Sequence, residues 1–297
     1  MEATNWREFI TTRLIKFAGY SAIIIVTTIF IFLIREGAPA IVEIPLSNLF
    51  SERWYPIEGF YGILPLIGGS IVVTVGAAIF AIPLGICTAI YISEVAPHWA
   101  REILKPLVEV LAGIPSVLLG FLGIVVFAQV MRETFNLQTG LSAFTGAVLL
   151  GAISVPTIVS VAEDALDAVP KTYRDASLAM GATEWQTIWR VTLPSARSGV
   201  LTAIMLGIGR AIGETMTVMM VTGNAPVMPT SLSAILEPIR TMTATIAAEM
   251  GEVAGGSVHY HSLFFIGIVL FLISLVINLA AASIVFRERK RAERILS

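Results

Sequence analysis

Residues 175–194 read DASLAMGATEWQTIWRVTLP, and this polar segment separates two long apolar stretches of the chain. Gly181 follows a helix-like run, and a glycine just past the last helical turn favours the left-handed backbone that closes a helix. Thr183 and, three residues later, Gln186 have the spacing of a capping box, which begins a second helix. Leu193-Pro194 is expected to stop that helix. The segment therefore predicts two short helices in a loop.

Three apolar side chains share one side of the second predicted helix. Trp185, Ile188 and Trp189 have the i, i+3, i+4 spacing that aligns side chains on one helix face. The stripe either packs against the protein's own inner surface or fits into a groove of a partner protein. Spacing alone leaves both interpretations open.

The whole chain has the composition of a membrane protein. Of its 297 residues, 13% are charged and 56% are hydrophobic, against about 25% charged and 45–50% apolar in ordinary soluble domains. Five uncharged stretches reach or approach the ~20 residues that a membrane-spanning helix needs. We predict an all-α protein in which residues 1–297 form one transmembrane domain, with a cytoplasmic loop at 163–197 and six spans at about 14–34, 63–92, 107–131, 141–162, 199–222 and 263–286.

The span at 199–222 is unusual because it carries Arg210 and Glu214. A charge at bilayer depth costs at least about 2.5–3.5 kcal/mol on insertion scales, so the pair needs a reason to be there. Their i, i+4 spacing predicts one helix face, with Gly209 and Gly213 on an adjacent face that a neighbouring helix can approach. The pair either stitches helices together as an ion pair or lines a pathway, where the guanidinium suits bidentate contact with an oxyanion.

The basic residues predict the orientation, because cytoplasmic loops carry the excess of Lys and Arg. With both termini inside, 14 of the 19 basic residues fall in inner segments, four fall in outer segments, and Arg210 lies within a span. Both termini and the loop at 163–197 are therefore expected to be cytoplasmic. Long outer loops at 35–60 and 223–261 are expected to hold short helices against the spans.

The sequence does not contain the common motifs for ATP binding, zinc binding or nucleophilic catalysis. None of the four lysines follows a glycine, so there is no Walker A phosphate loop, and no HExxH or GxSxG pattern occurs. His259 and His261 are expected to be a solvated interfacial pair rather than metal ligands. The single cysteine excludes an internal disulfide, and the net charge of −2 does not favour nucleic-acid binding. Transport is therefore expected, with no metal, cofactor or ATP bound by this chain.

The segment at residues 175–194 resembles the EAA motif of ABC-importer permeases. Asp175-Ala176-Ser177, three residues, Gly181, nine residues and Val191-Thr192-Leu193-Pro194 match its spacing, with Asp for Glu, Ser for Ala and Val for Ile. The resemblance implies the type I ABC importer permease fold. It also implies that the loop contacts a separate ATPase subunit, which binds ATP and Mg. The coupling residues would be Asp175, Ala176, Ser177, Gly181, Thr183, Trp185, Ile188, Trp189, Leu193 and Pro194.

Other segments are similar to the PstC family of phosphate permeases. They are IREG at 34–37, WYP at 54–56, YGILP at 61–65, IPSV at 114–117 and GRAIGET at 209–215. The resemblance implies a bacterial or archaeal inner-membrane complex with a PstA-like second permease, two PstB-like ATPases and a PstS-like external binding protein. It also points to Arg210 and Glu214 as the phosphate pathway. A PstA-type permease or a sulfate or molybdate permease stays an alternative.

Import of phosphate requires an energy source. Moving a dianion into a negative cell costs about 4.6 kcal/mol per 100 mV. An ion-coupled secondary transporter is the competing hypothesis, but such carriers often contain inverted repeats and none is visible here. Glu109, one turn beyond Lys105, is expected to form an i, i+4 ion pair at the inner interface rather than a pathway site.

Overall fold

The computed structural model describes residues 6–296, without the side chains of residues 7, 232 and 287–296. The predicted cytoplasmic ends at Met1 and Ser297, and the basic side chains of 287–294, lie outside the described residues. The described chain is helical apart from one hairpin, in which β1 (Trp54–Tyr55) pairs antiparallel with β2 (Phe60–Tyr61). The helices are α1 (Trp6–Glu43), α2 (Leu46–Leu49), α3 (Leu64–Ile90), α4 (His98–Ala112), α5 (Ser116–Leu122), α6 (Ala128–Phe135), α7 (Ala143–Asp167), α8 (Lys171–Ala179), α9 (Glu184–Thr187), α10 (Leu193–Ser195), α11 (Arg197–Gly213), α12 (Met216–Val221), α13 (Met242–Glu249) and α14 (Val258–Leu296).

Wider and tighter turns connect some of these helices. π turns extend α3 over Tyr91–Val95, join α5 to α6 over Gly123–Phe127, and join α9 to α10 over Ile188–Thr192. Three-residue-per-turn helices occur at Pro56–Glu58 and Leu232–Leu236. The two loops that are predicted to lie outside, at 35–60 and 223–261, thus contain short helices, as expected.

Five helical segments among the described residues are long and apolar enough to cross a membrane, at Glu8–Glu43, Leu64–Val95, Ser116–Phe135, Ala143–Asp167 and Val258–Phe286. A sixth crossing results if the segments Glu184–Ser195 and Arg197–Gly213, which meet at 72°, count as one bent span.

α7 is the most buried of these segments because small residues let its neighbours approach closely. Gly76 and Gly85 of α3 lie against Ala147 and Ile158 of α7, so close that an added Cβ would come within 2.7 Å of either side chain. Gly207 of α11 contacts the other side of Ile158. α3, α7 and α11 therefore form the packed centre on which the loops are mounted.

α1 packs mainly on α14, near the predicted outer end. Phe30 stacks on Phe271 with ring centroids 4.7 Å apart, and Phe32 meets Phe264 edge-on at 5.6 Å. The segment of α1 before Phe30 is exposed along most of its length. Lipid and other subunits are the surroundings available to that apolar surface.

Two predicted spans are interrupted. The span at 107–131 is divided, since α4 ends at Ala112 and α5 begins at Ser116. Pro115 has no N–H to donate and disfavours the helical conformation at the residue before it. The span at 199–222 is also wrong as one helix, because α11 ends at Gly213 and Glu214 has extended backbone angles (φ −69°, ψ 129°).

Candidate functional site

The local geometry of the loop confirms its capping signals. Gly181 has φ +84°, the left-handed conformation that closes α8. Thr183 Oγ1 accepts from Gln186 N at 3.2 Å, and Thr183 N donates to Gln186 Oε1 at 3.0 Å, so the capping box of α9 is complete. Two backbone donors that a helix start leaves unpaired are satisfied in this way. The loop is therefore a built structure that presents its residues at fixed positions.

The predicted apolar stripe is divided between two surroundings. Trp185 and Trp189 are 62% and 47% exposed, and their rings touch edge-on with centroids 5.6 Å apart. Ile188 is only 5% exposed and belongs to the buried core cluster that also contains residues of α3 and α7. The expectation that all three are exposed as one stripe is wrong: Ile188 is the first residue of the π turn Ile188–Thr192, and its side chain is buried.

Leu193-Pro194 does not stop the helix as predicted. The π turn at Ile188–Thr192 leads directly into α10, where Pro194 occupies the first turn and its missing N–H costs nothing. The chain bends away from the loop two residues after Pro194, at Ala196, directly before α11 begins.

The remaining motif residues lie on α8. Asp175 and Ala176 are exposed, whereas Ser177 is half-buried. Ser177 Oγ lies 2.9 Å from Thr187 Oγ1, a hydrogen bond that ties α8 to α9. Asp175, Ala176 and the Trp185–Trp189 pair therefore belong to one rigid two-helix unit.

Arg174, which the sequence analysis treated only as a basic residue, connects this unit to the spans. Its Nε and Nη2 donate to Glu94 Oε2 and Oε1 at 3.1 and 2.5 Å. Its Nη1 and Nη2 also donate to Val169 O and Leu166 O at 2.7 and 2.9 Å. A sequence signal could have indicated this pairing. Glu94 lies in the last turn of a helix, where a carboxylate faces partial negative charge and is stabilised by a nearby cation.

A second ion network lies along the inner ends of α4 and α7. Glu163 is 1% exposed and accepts from Arg101 Nη2 at 3.1 Å and from Lys105 Nζ at 2.6 Å. Arg101 also pairs with Asp167, and Lys105 with Asp164. The hydrogen bond to Glu163 raises the pKa of Lys105, so this ammonium stays charged at neutral pH.

The expected ion pair between Lys105 and Glu109 is absent from the described chain. Lys105 turns to Glu163 and Asp164 on α7, and Glu109 is exposed. The carboxylate of Glu163 is almost fully buried, so water screens its attraction for the ammonium less than it screens that of the exposed Glu109.

Arg210 stands in the last turn of α11 and is exposed. Its Nη1 donates to Thr157 Oγ1 of α7 at 3.0 Å, and its Nη2 donates to Ala112 O at the end of α4 at 3.4 Å. Arg210 lies thirteen positions after Arg197, the first residue of α11, which is about 20 Å along the helix at 1.5 Å per residue. The guanidinium lies between α7 and the break between α4 and α5, in a helix that is apolar enough to form part of a bent span.

Glu214 does not share a helix face with Arg210, so the expected i, i+4 pair is not formed. Its Oε1 instead accepts from Thr215 N and Thr217 N at 3.2 Å and caps α12. Its carbonyl accepts from Thr243 Oγ1 at 3.1 Å. Thr217 Oγ1 donates to Ser116 O at 2.8 Å. This hydrogen bond joins two helix breaks beside Arg210, one at Gly113–Pro115 and the other at Glu214–Thr215.

Gly209 and Gly213 face open space. A Cβ added to either would meet no atom within 4 Å in the described part of the chain. The neighbouring helix expected at these glycines is therefore not supplied by the residues that the structure describes.

The two outer histidines are not a solvated pair. His259 Nε2 lies 2.8 Å from Glu249 Oε2, and His261 Nδ1 lies 2.8 Å from Glu43 Oε2, with both imidazoles largely buried. Arg240 also contacts Glu249, at 2.7 Å, and Trp54 Nε1 donates to it at 3.2 Å. These contacts fix the hairpin and α13 to the start of α14.

Comparison with known proteins gives consistent results. The family model "Binding-protein-dependent transport system inner membrane component" matches residues 81–290. A Bacillus subtilis protein named probable ABC transporter permease protein YqgH is 40% identical over 77% of this chain and 74% of its own length. The phosphate transport system permease protein PstC of Pasteurella multocida is 31% identical over 84% and 82%, and that of Mesorhizobium japonicum is 35% identical over 81% and 78%.

Solved structures with the same fold are ABC importers. A chain of the inward-facing MetNI methionine ABC transporter superposes with a TM-score of 0.57 at 19% identity, covering 79% of this chain and 99% of the other. A chain of a bacterial alginate ABC transporter, in complex with an alginate-bound periplasmic protein, gives 0.57 at 17% identity, covering 93% and 95%. The type I importer permease fold and the multi-pass membrane architecture are thus confirmed.

Proposed function

This chain belongs to the family of binding-protein-dependent transport system inner membrane components, and from that premise we propose that it is the permease subunit of an ATP-driven importer of inorganic phosphate. The observation that carries the proposal is the likeness to bacterial phosphate permeases over more than four-fifths of the chain. The permease is a transport component and not an enzyme.

The proposed complex divides the work among several subunits. A PstA-like permease completes the pathway, two PstB-like ATPases bind ATP and Mg, and a PstS-like binding protein delivers phosphate from outside the inner membrane. The capped loop carries the ATPase contact, because Asp175, Ala176, Trp185 and Trp189 are exposed on one rigid unit. Large exposed aromatic groups on a loop facing water indicate a surface that another protein covers.

Arg210 is the proposed phosphate contact. It is exposed on α11, and its guanidinium is held by one hydroxyl and one carbonyl rather than by a carboxylate. A cation without a full counter-charge attracts an anion, and the planar fork suits two oxygens of a phosphate. Glu214 acts beside it by fixing the start of α12, and its negative charge keeps phosphate from binding too tightly to be released.

Uptake of labelled phosphate by proteoliposomes that contain the assembled complex tests the function. Uptake should require internal ATP and the external binding protein, and a tenfold excess of sulfate or molybdate should leave it unchanged. Competition by sulfate or molybdate would assign another oxyanion. Uptake driven by a proton or sodium gradient without ATP would contradict the importer mechanism.

Arg210→Gln tests the pathway in the same vesicles. The complex should assemble and hydrolyse ATP, while uptake falls by at least about 100-fold, because two charge-assisted hydrogen bonds to the anion are lost at about 1.5–3 kcal/mol each. Arg132→Gln, which removes an exposed arginine at the far end of α6, is the matched control and should transport normally. Near-parental uptake by Arg210→Gln would remove the pathway role, and loss of assembly would assign Arg210 to stitching helices.

A further inference from the structure

The pair formed by Arg174 and Glu94 joins α8 to the π turn that ends α3. Both oxygens of Glu94 accept from the guanidinium, at 2.5 and 3.1 Å, in the bidentate arrangement that fixes direction as well as distance. The side chains of Glu94 and Arg174 are 7% and 20% exposed. Water therefore screens the pair weakly, and a displacement of either group meets resistance.

Arg174 holds a second helix at the same time. Leu166 O and Val169 O, which accept from its Nη2 and Nη1, are carbonyls at the end of α7. A helix C-terminus carries partial negative charge, and a guanidinium there is stabilised. One side chain of α8 thus binds the inner ends of both α3 and α7.

The position of the pair relates it to the loop that faces the ATPase. Arg174 directly precedes the exposed Asp175 and Ala176. Glu94 lies in the π turn that ends α3, and Ser93 of the same turn donates to Asp167 of α7 at 2.7 Å. π turns are often associated with functional positions in helices. Ile188 also attaches this segment to the core, through an apolar contact without directional bonds.

We propose that Arg174 and Glu94 are positioning residues that make the loop unit of α8 and α9 move as one body with α3 and α7, so that displacement of the loop by the ATPase reorients the spans. This proposal rests on the permease function proposed above. Without the pair, the loop slides on the apolar Ile188 contact, and ATP hydrolysis is no longer converted into span movement.

Glu94→Gln tests the proposal because it keeps the shape of the side chain and removes its charge. The phosphate moved per ATP hydrolysed should fall by at least about tenfold, the factor expected from losing one charge-assisted hydrogen bond. Assembly and the rate of hydrolysis should stay close to parental. Asp164→Asn is the matched control, since Asp164 is a carboxylate near the end of α7 that pairs with Lys105 of α4 and not with α8 or α9.

A distance measurement tests the same linkage without phosphate. Cys87 on α3 is the only cysteine of the chain and is exposed, and Ala179→Cys adds an exposed label site on α8. With cysteines of the other subunits replaced, the spin-label distance between residues 87 and 179 should stay constant in the otherwise parental chain when ATP is added. In Glu94→Gln it should shift or broaden on ATP addition.

The outcomes separate the two proposals. A constant label distance in Glu94→Gln, or a parental transport ratio, would overturn the linkage, as would an equal loss of uptake and hydrolysis. If the complex with Glu94→Gln does not assemble, the same two measurements are made on Arg174→Lys. Lysine keeps the positive charge but cannot form the bidentate contact with Glu94. A complex that hydrolyses ATP but never transports phosphate would contradict the proposed function, while the label distances would still test the linkage.

Discussion

Replacing Trp185 and Trp189 together by alanine tests whether the loop docks on another protein. Both indoles are exposed on α9 and the π turn that follows it, and they contact each other. Their removal takes away little packing of this chain, because neither indole belongs to the buried core. The double variant should therefore fold and insert normally and lose affinity for the ATPase.

The size of the effect follows from the exposed area. Taking roughly 200 Å² for each indole side chain, exposures of 62% and 47% leave about 220 Å² for a partner to cover. That area corresponds to about 5 kcal/mol at 25 cal/mol per Å². Ordering two side chains costs about 1 kcal/mol each, which leaves about 3 kcal/mol. The ATPase should bind about 100-fold more weakly.

The affinity is measured by titrating purified ATPase subunits against the permease pair in nanodiscs. Ile188→Ala is the matched control on the same segment. Ile188 is 5% exposed, so its truncation should lower the melting temperature of the chain by removing core packing. If the double tryptophan variant binds the ATPase with parental affinity and drives normal uptake, the docking interpretation is refuted.

Three further outcomes are expected. A cysteine at Thr183 should react with impermeant maleimide only from the cytoplasmic side of oriented membranes, and labelling from outside alone would contradict the orientation. Glu163→Gln should lower stability by about 1–3 kcal/mol in thermal unfolding, because the buried acceptor of two cations is neutralised, whereas Asp164→Asn should change it little since that side chain is 68% exposed. Gly181→Ala should cost about 1 kcal/mol, measured in the same assay, because a Cβ is strained at φ +84°.

Local signals predicted the loop well because its structure depends on neighbours in sequence. A left-handed glycine and a capping box each need only residues within four positions, so Gly181 and Thr183 carry the information themselves. The apolar stretches were equally informative, since a segment of about 20 apolar residues has few stable alternatives to a membrane-spanning helix.

Contacts between elements that are far apart in sequence could not be predicted from the sequence. Lys105 had an acidic neighbour one turn away, yet it pairs with Glu163, 58 residues along the chain. Ile188 matched a surface stripe but faces the core of α3 and α7. In both cases helix packing, which spacing within one helix does not contain, decided between two locally acceptable arrangements.

The surroundings of Arg210 bear on where phosphate passes. A permanent cation within a span requires water or protein around it, and the described residues supply one hydroxyl and one carbonyl. On the same turn of α11, Gly209 and Gly213 leave room for a close approach that the described residues do not fill. A second permease packed against these glycines would close the open side and enclose the guanidinium. Phosphate would then pass between two subunits, with Arg210 offered from one of them.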